Sequence, residues 1–171
     1  MTTVLCPGSF DPITVGHIDI ITRARDLFGK VLVGVGRNNQ KSYVFGDERI
    51  DLVRGALEGM DGVDVAPIEG LLVDFCRDHG ISAVIKGLRF GADFDFELQM
   101  AHMNRGLSGL ETVLLPAAAQ HVTLSSTILR EVMKLGGDVS GYVPPNVAEA
   151  IHQWRQRQPL RDDLGESSGL G

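Results

Sequence analysis

Short β-branched runs alternate with helical patterns from Thr3 to about Leu135. This constrains the fold more than any other feature, because a strand, an amphipathic crossover and a second strand form a βαβ unit of a parallel sheet. The expected strands are Thr3 to Cys6, Val31 to Gly36, Val63 to Pro67, Ala83 to Lys86 and Thr112 to Leu115. Between them Ile20, Ile21, Ala24, Leu27 and Phe28 fall on one helical stripe, as do Ile50, Val53 and Leu57, and then Leu72, Phe75 and Cys76. Right-handed crossovers bring the loop after each strand to one edge of the sheet, where a ligand is expected.

The next helical segment, ADFDFELQMAHMNRGL, differs from these. Phe94, Leu98 and Ala101 make one apolar stripe, and Phe96, Met100 and Met103 make another. A helix apolar on two sides is expected to pack on its own sheet and on another subunit. A further helix starts near Ser125 and ends before Gly136 and Gly137. Pro144 and Pro145 start a terminal helix with Val147, Ile151 and Trp154 on one side. At 171 residues the chain fits one domain, set at residues 1–158. The remainder, 159–171, has almost nothing to bury and is expected to be a disordered tail.

A net charge of −6 argues against a chain that grips long nucleic acid through many phosphates and leaves small anionic ligands as the expected cargo. The two cysteines, Cys6 and Cys76, lack metal-site spacing and read as buried reduced thiols. MTTVLCPGSF lacks the basic flank and apolar core of a signal peptide, and no run reaches the roughly 20 apolar residues that span a bilayer, so no membrane partner and a cytoplasmic location are expected.

The stretch PGSFDPITVGH, Pro7 to His17, follows the first strand and leads into the first helix. That helix must start near Thr14 or Val15, leaving Gly16 and His17 in a first turn whose backbone N–H groups are unpaired and attract anions. A protonated histidine there opposes the helix dipole, so helix stability does not select it. Gly8 and Gly16 allow close approach of a ligand, Pro7 and Pro12 fix the loop, and Ser9 adds a hydroxyl; together they describe a phosphate site.

Ser9 to His17, with KGLR at Lys86 to Arg89, ADFDFELQMAHMNR at Ala92 to Arg105 and LSST at Leu124 to Thr127, resembles the bacterial phosphopantetheine adenylyltransferases of the nucleotidyltransferase superfamily, with its T/HxGH-type motif, over about residues 3 to 155. The resemblance implies a Rossmann-like doubly wound sheet of five parallel strands, order 3-2-1-4-5, with C-terminal helices. Strands 1 and 4 then flank the switch point, so the serine-histidine loop and KGLR face one crevice. It implies transfer of the adenylyl group of ATP to 4'-phosphopantetheine, giving dephospho-coenzyme A and pyrophosphate, with Mg²⁺ as the ion, coenzyme A as a feedback ligand and a homohexamer as the assembly.

The resemblance assigns catalysis to His17, Lys41 and Arg89. ATP falls to Ser9, Phe10, His17, Gly87, Arg89, Glu97, His121, Leu124, Ser125, Ser126 and Thr127; 4'-phosphopantetheine falls to Ser9, Lys41, Leu72, Val73 and Lys86. No residue is assigned to a protein-held metal. A phosphomonoester with a second pKa of about 6 is already largely a dianion near neutrality, so the expected chemistry is in-line attack with charge stabilisation and no general base. Phe96 stands where relatives commonly carry tyrosine, and Thr127 replaces a third serine. The alternatives are a related nucleotidyltransferase with another phosphate acceptor and a non-catalytic nucleotide-binding module. His79, His102 and His152 have no partners that make a metal site and read as structural.

Overall fold

The computed structural model describes residues 2–38 and 40–158; the expected tail lies outside them. Five strands form one parallel sheet, β1 (Thr2–Gly8), β2 (Gly29–Gly36), β3 (Val63–Ile68), β4 (Ala83–Leu88) and β5 (Glu111–Pro116), in the order β3-β2-β1-β4-β5. The α/β Rossmann-like reading therefore holds, and each strand includes the run expected for it. The crossovers are α1 (Val15–Phe28), α2 (Glu48–Ala56), α3 (Leu72–Asp78) and α4 (Gly91–Ser108), followed after β5 by α5 (Ser126–Lys134) and α6 (Pro145–Arg157).

Strand alternation divides the core. Val4 and Cys6 face one layer with Val31, Val33, Val35 and Ile85, packed against Ile21 and Ala24 of α1, Val53 of α2 and Val147 and Ile151 of α6. Leu5, between them, faces the opposite layer with Ile68, Val84 and Leu110, against Val73 and Cys76 of α3. Each fully buried aliphatic side chain contributes roughly 1.5–3 kcal/mol. An exposed ion pair such as Arg37 with Glu69 is screened by solvent and adds little, so the two apolar layers hold the sheet.

Of the α1 stripe, Ile20, Ile21 and Ala24 are buried, while Leu27, at its rim in the last turn, stays exposed. The larger difference is α4. Both of its apolar stripes are open, with Phe96 62% and Met103 61% exposed, and its one buried residue is Asn104. The single chain therefore leaves uncovered the stripe expected to lie on its own sheet as well as the outward one. Cys6 and Cys76 are free and buried. His79 caps α3, its ring stacked on Phe75 and its Nδ1 2.8 Å from the Phe75 carbonyl. Among the described residues no helix is long and apolar enough to cross a membrane.

Candidate active site

Because β1 and β4 are neighbours, with Leu5 opposite Val84, the loops that follow Gly8 and Leu88 open side by side at the carboxyl edge of the sheet. They wall a cavity of about 460 Å³ lined by Cys6 to Asp11, by His17 and Lys41, by Lys86, Gly87 and Arg89, and by His121, Leu124 to Thr127 and Arg130. That volume suits a nucleotide-sized ligand.

On the β1 side the chain turns sharply. Phe10 takes the left-handed region at φ 47, and its ring is buried edge-on against His17, centroids 5.0 Å apart. The same ring requires glycine at position 8, where an added Cβ would meet it at 3.0 Å. Thr14 caps α1. Its hydroxyl accepts the His17 amide at 3.3 Å, while His17 Nδ1 accepts the Thr14 amide at 3.0 Å. Histidine thus fills the reciprocal position of a capping box usually held by Glu or Gln.

This arrangement fixes the histidine's chemistry. An Nδ1 that accepts from backbone carries no proton, so Nε2 bears it. Burial, then the nearby Arg89 and Lys86, lower the His17 pKa to about 4. The ring is therefore a neutral donor at physiological pH, and it does not oppose the helix dipole.

The β4 side supplies the cations. Lys86 Nζ lies 3.3 Å from Glu97 Oε1. Arg89 forks onto Asp93, Nε to Oδ2 at 2.9 Å and Nη2 to Oδ1 at 3.2 Å, and donates from Nη1 to the Leu124 carbonyl at 3.2 Å. That pairing holds the Asp93 carboxyl below its ordinary range. Asp93 and Glu97 are one turn apart on α4, so one helix face fixes both cations. Gly87 lies between them, where a Cβ would press on Ile20 of α1 at 3.1 Å. The exposed Lys41, in the β2–α2 loop, completes this wall with Arg130 of α5.

The three hydroxyls at the start of α5 do different things. Ser125 Oγ caps the helix by accepting from the Ile128 amide at 3.1 Å, Ser126 Oγ donates to the Pro12 carbonyl at 3.0 Å, and Thr127 Oγ1 accepts from Arg130 at 3.3 Å. The amides of Ser126 and Thr127, in the first turn, have no helical carbonyl to pair with. Gly16 faces His121 and Leu124, each 3.6 Å from where a Cβ would stand.

The structure thus brings Ser9, Phe10, His17, Lys41, Lys86, Gly87, Arg89, Glu97, His121, Leu124, Ser125, Ser126 and Thr127 to one cavity. Leu72 and Val73 are not in its lining; they open α3 beyond β3, with Val73 in the core. Sequence reasoning missed Arg130, Asp93 and Asp11. Asp93 sits four residues after Arg89, a spacing that signals a helical ion pair; Arg130 and Asp11 give no local signal.

Among the described residues no three His, Cys, Asp or Glu side chains are grouped to hold a metal. The two carboxylates with a cation in the cavity, Asp93 and Glu97, already face Arg89 and Lys86. Such a donor set fits a hard cation that arrives on the phosphates of a nucleotide and keeps its waters, rather than one caged by protein.

A family model described as cytidylyltransferase-like matches residues 5–132. A phosphopantetheine adenylyltransferase of Cutibacterium acnes is 52% identical over 147 residues, 85% of this chain and 94% of that protein. One of Streptomyces coelicolor is 51% identical over 152 residues, 88% and 96% of the two chains. Among solved structures, a putative nicotinate-nucleotide adenylyltransferase from Vibrio parahaemolyticus superposes with a TM-score of 0.63 at 19% identity, covering 89% of this chain and 99% of that one. At that identity the likeness concerns the fold alone.

Proposed function

The chain belongs to the cytidylyltransferase-like family and, within it, to the phosphopantetheine adenylyltransferases, and from that membership we propose how its cavity carries out the reaction. The enzyme is a nucleotidyltransferase of coenzyme A synthesis. It transfers the adenylyl group of ATP to 4'-phosphopantetheine, giving dephospho-coenzyme A and pyrophosphate.

An oxygen of the acceptor phosphate attacks the α-phosphorus, a P–O bond forms, and the bond from the α-phosphorus to the bridging oxygen of pyrophosphate breaks. Because the acceptor is already a dianion, no proton has to be removed, and the protein's task is positioning and charge stabilisation. His17 Nε2–H donates to an α-phosphate oxygen. Lys86 and Ser9 hold the acceptor phosphate, and Arg89 meets the ATP phosphates. Ser125, Ser126 and Thr127 offer their first-turn amides to the β- and γ-phosphates, with Leu124 and His121 beside the adenine and Glu97 near the ribose. Lys41 closes on the transferring group from its exposed loop. Mg²⁺ enters with ATP as part of the nucleotide substrate. Leu72 and Val73 are assigned the pantetheine arm by their backbone.

The observation that carries this reading is the neutral His17, with Nδ1 tied to backbone, facing the same cavity as Lys86 and Arg89. The assembly is a homohexamer on the family pattern, supported by the open apolar stripes of α4. Feedback by coenzyme A and a cytoplasmic location belong to the same reading. An acceptor screen with MgATP tests it. Pyrophosphate release and dephospho-coenzyme A are expected with 4'-phosphopantetheine; release with nicotinamide mononucleotide alone would overturn the acceptor, and tight ATP binding without turnover would overturn catalysis.

A further inference from the structure

Two buried charged side chains outside the assigned set cross between the loops that carry Ser9 and Lys41. Arg49, the second residue of α2, is 1% exposed and makes no ion pair with a carboxylate among the described residues. Its guanidinium donates from Nη1 to the carbonyls of Ser9, at 2.6 Å, and Gly36, at 3.0 Å, and from Nε to the carbonyl of Gly46, at 2.6 Å. The Tyr43 ring covers it, with the centroid 3.5 Å from Cζ. Asp11, 3% exposed, reaches the other way: its two carboxylate oxygens accept the amides of Val44 and Phe45 at 2.9 and 3.1 Å.

Burying a guanidinium against carbonyls and an aromatic ring, without a paired carboxylate among the described residues, is costly unless its geometry is used. Here it ties the end of β2 and the far end of the β2–α2 loop to the carbonyl of Ser9. Asp11 fixes Val44 and Phe45 to the loop that carries Ser9. The exposed turn that holds Lys41, closed by a hydrogen bond from the Lys41 amide to the Asn38 carbonyl at 3.0 Å, is therefore pinned on both sides.

We propose that Asp11 and Arg49 are positioning residues for adenylyl transfer, acting through Lys41 by fixing both ends of the segment that carries it against the Ser9 loop. The inference rests on the catalytic role given to Lys41. Misplacement of a catalytic group by about 1 Å can cost on the order of 100-fold in rate, so Asp11→Asn, which turns an amide NH₂ toward backbone N–H groups, should lower kcat roughly 10- to 100-fold. The KM for ATP should stay near its native value, because the α5 amides and Arg89 are untouched. Arg49→Lys keeps the charge and loses the fork, and should fall in the same direction.

The test is a kinetic double-mutant cycle. Native protein, Asp11→Asn, Lys41→Ala and the double variant are assayed for dephospho-coenzyme A, and each is checked for native melting. Arg49→Lys with Lys41→Ala forms a parallel cycle if Asp11→Asn melts early. In the Lys41→Ala background the Asp11→Asn or Arg49→Lys change should have little further effect on kcat. Losses that multiply would overturn the proposal, as would a rise in the KM for ATP equal to the loss in kcat. Full turnover by Lys41→Ala would remove the lysine's role and this inference with it, whereas absence of product from the native protein would remove the adenylyltransferase reading before any variant is made.

Discussion

His17 Nδ1 accepts the amide proton of Thr14, three residues before it, at 3.0 Å. One ring nitrogen is thus spent on starting α1, and the other is left as a fixed donor to the cavity. Helix capping and catalysis draw on the same side chain, which explains why an imidazole stands at a helix terminus. Replacing it with alanine removes a donor to the transferring phosphate, and kcat should fall by roughly two to four orders of magnitude, as for other transition-state donors. The KM for ATP should change less. Steady-state kinetics decides the matter: equal losses in ATP affinity and turnover would reduce His17 to a ground-state contact.

The pH dependence of turnover should belong to the substrate. His17, with its pKa near 4, does not change protonation between pH 5.5 and 8, whereas the acceptor's second phosphate pKa is about 6. The acidic limb of kcat/KM for 4'-phosphopantetheine should therefore fall near pH 6 in the native enzyme and keep that position in His17→Gln, at a lower height. A limb that moves when His17 is replaced would mean that the ring titrates in turnover.

Stability should carry the histidine's own signature. The folded pKa of about 4 lies below the ordinary 6.5, so between those values the unfolded chain binds more protons and falling pH favours unfolding. The loss is absent above about pH 6.5 and complete below about 4. Asp93, held low by Arg89, loses its contribution only as pH falls through and below the ordinary carboxylate value of 3.8, so the two effects separate. Thermal melts of native protein and His17→Gln from pH 4 to 7 should diverge in slope, the native curve being the steeper.

Removing the Asp93 carboxylate should loosen Arg89 without discharging it. In Asp93→Asn a single neutral amide oxygen replaces the charged fork, the guanidinium keeps its bond to the Leu124 carbonyl, and ATP affinity should weaken roughly 3- to 10-fold, in line with one charged hydrogen bond. Fluorescence or calorimetric titration with ATP measures this. Tighter binding instead would show that Asp93 acts as a competitor of the nucleotide and not as a support.

The exposed face of α4 should be covered in solution. Phe96 and Met103 are more than half exposed in the single chain, on the same helix as the exposed Phe94, Leu98 and Met100, and a contiguous exposed apolar patch marks an interaction surface. Light scattering at micromolar concentration should give an assembly mass for native protein and a smaller one for Phe96→Glu combined with Met103→Glu. A native monomer would contradict the hexamer.

Much of this architecture was legible because it is local. Runs such as VLVGVG and AVIK read as buried parallel strands by their shortness and β-branched content, and the stripe of Ile20, Ile21 and Ala24 read as a crossover by its helical period. The cavity residues were legible where a motif carried them. Arg49 was not, since DERIDLVRG reads as an ordinary amphipathic helix and nothing nearby indicates that the distant carbonyls of Ser9 and Gly36 converge with that of Gly46 on its guanidinium. Asp11 was hidden for the same reason, its amide partners lying 33 and 34 residues away. The Thr14–His17 box was missed although it is local, because Glu or Gln is the residue that ordinarily announces it. The expectation that one stripe of α4 would bury failed because periodicity reports an apolar face and not what lies opposite it.

Lys86 and Arg89 each rest on a carboxylate one turn apart along α4. The crevice consequently carries its own counterions, and an incoming polyphosphate meets cations that are already partly neutralised rather than bare ones. Affinity then reflects cations shared between a carboxylate and a phosphate. Added salt, which screens both, should erode it less steeply than the tally of basic groups around the crevice would suggest.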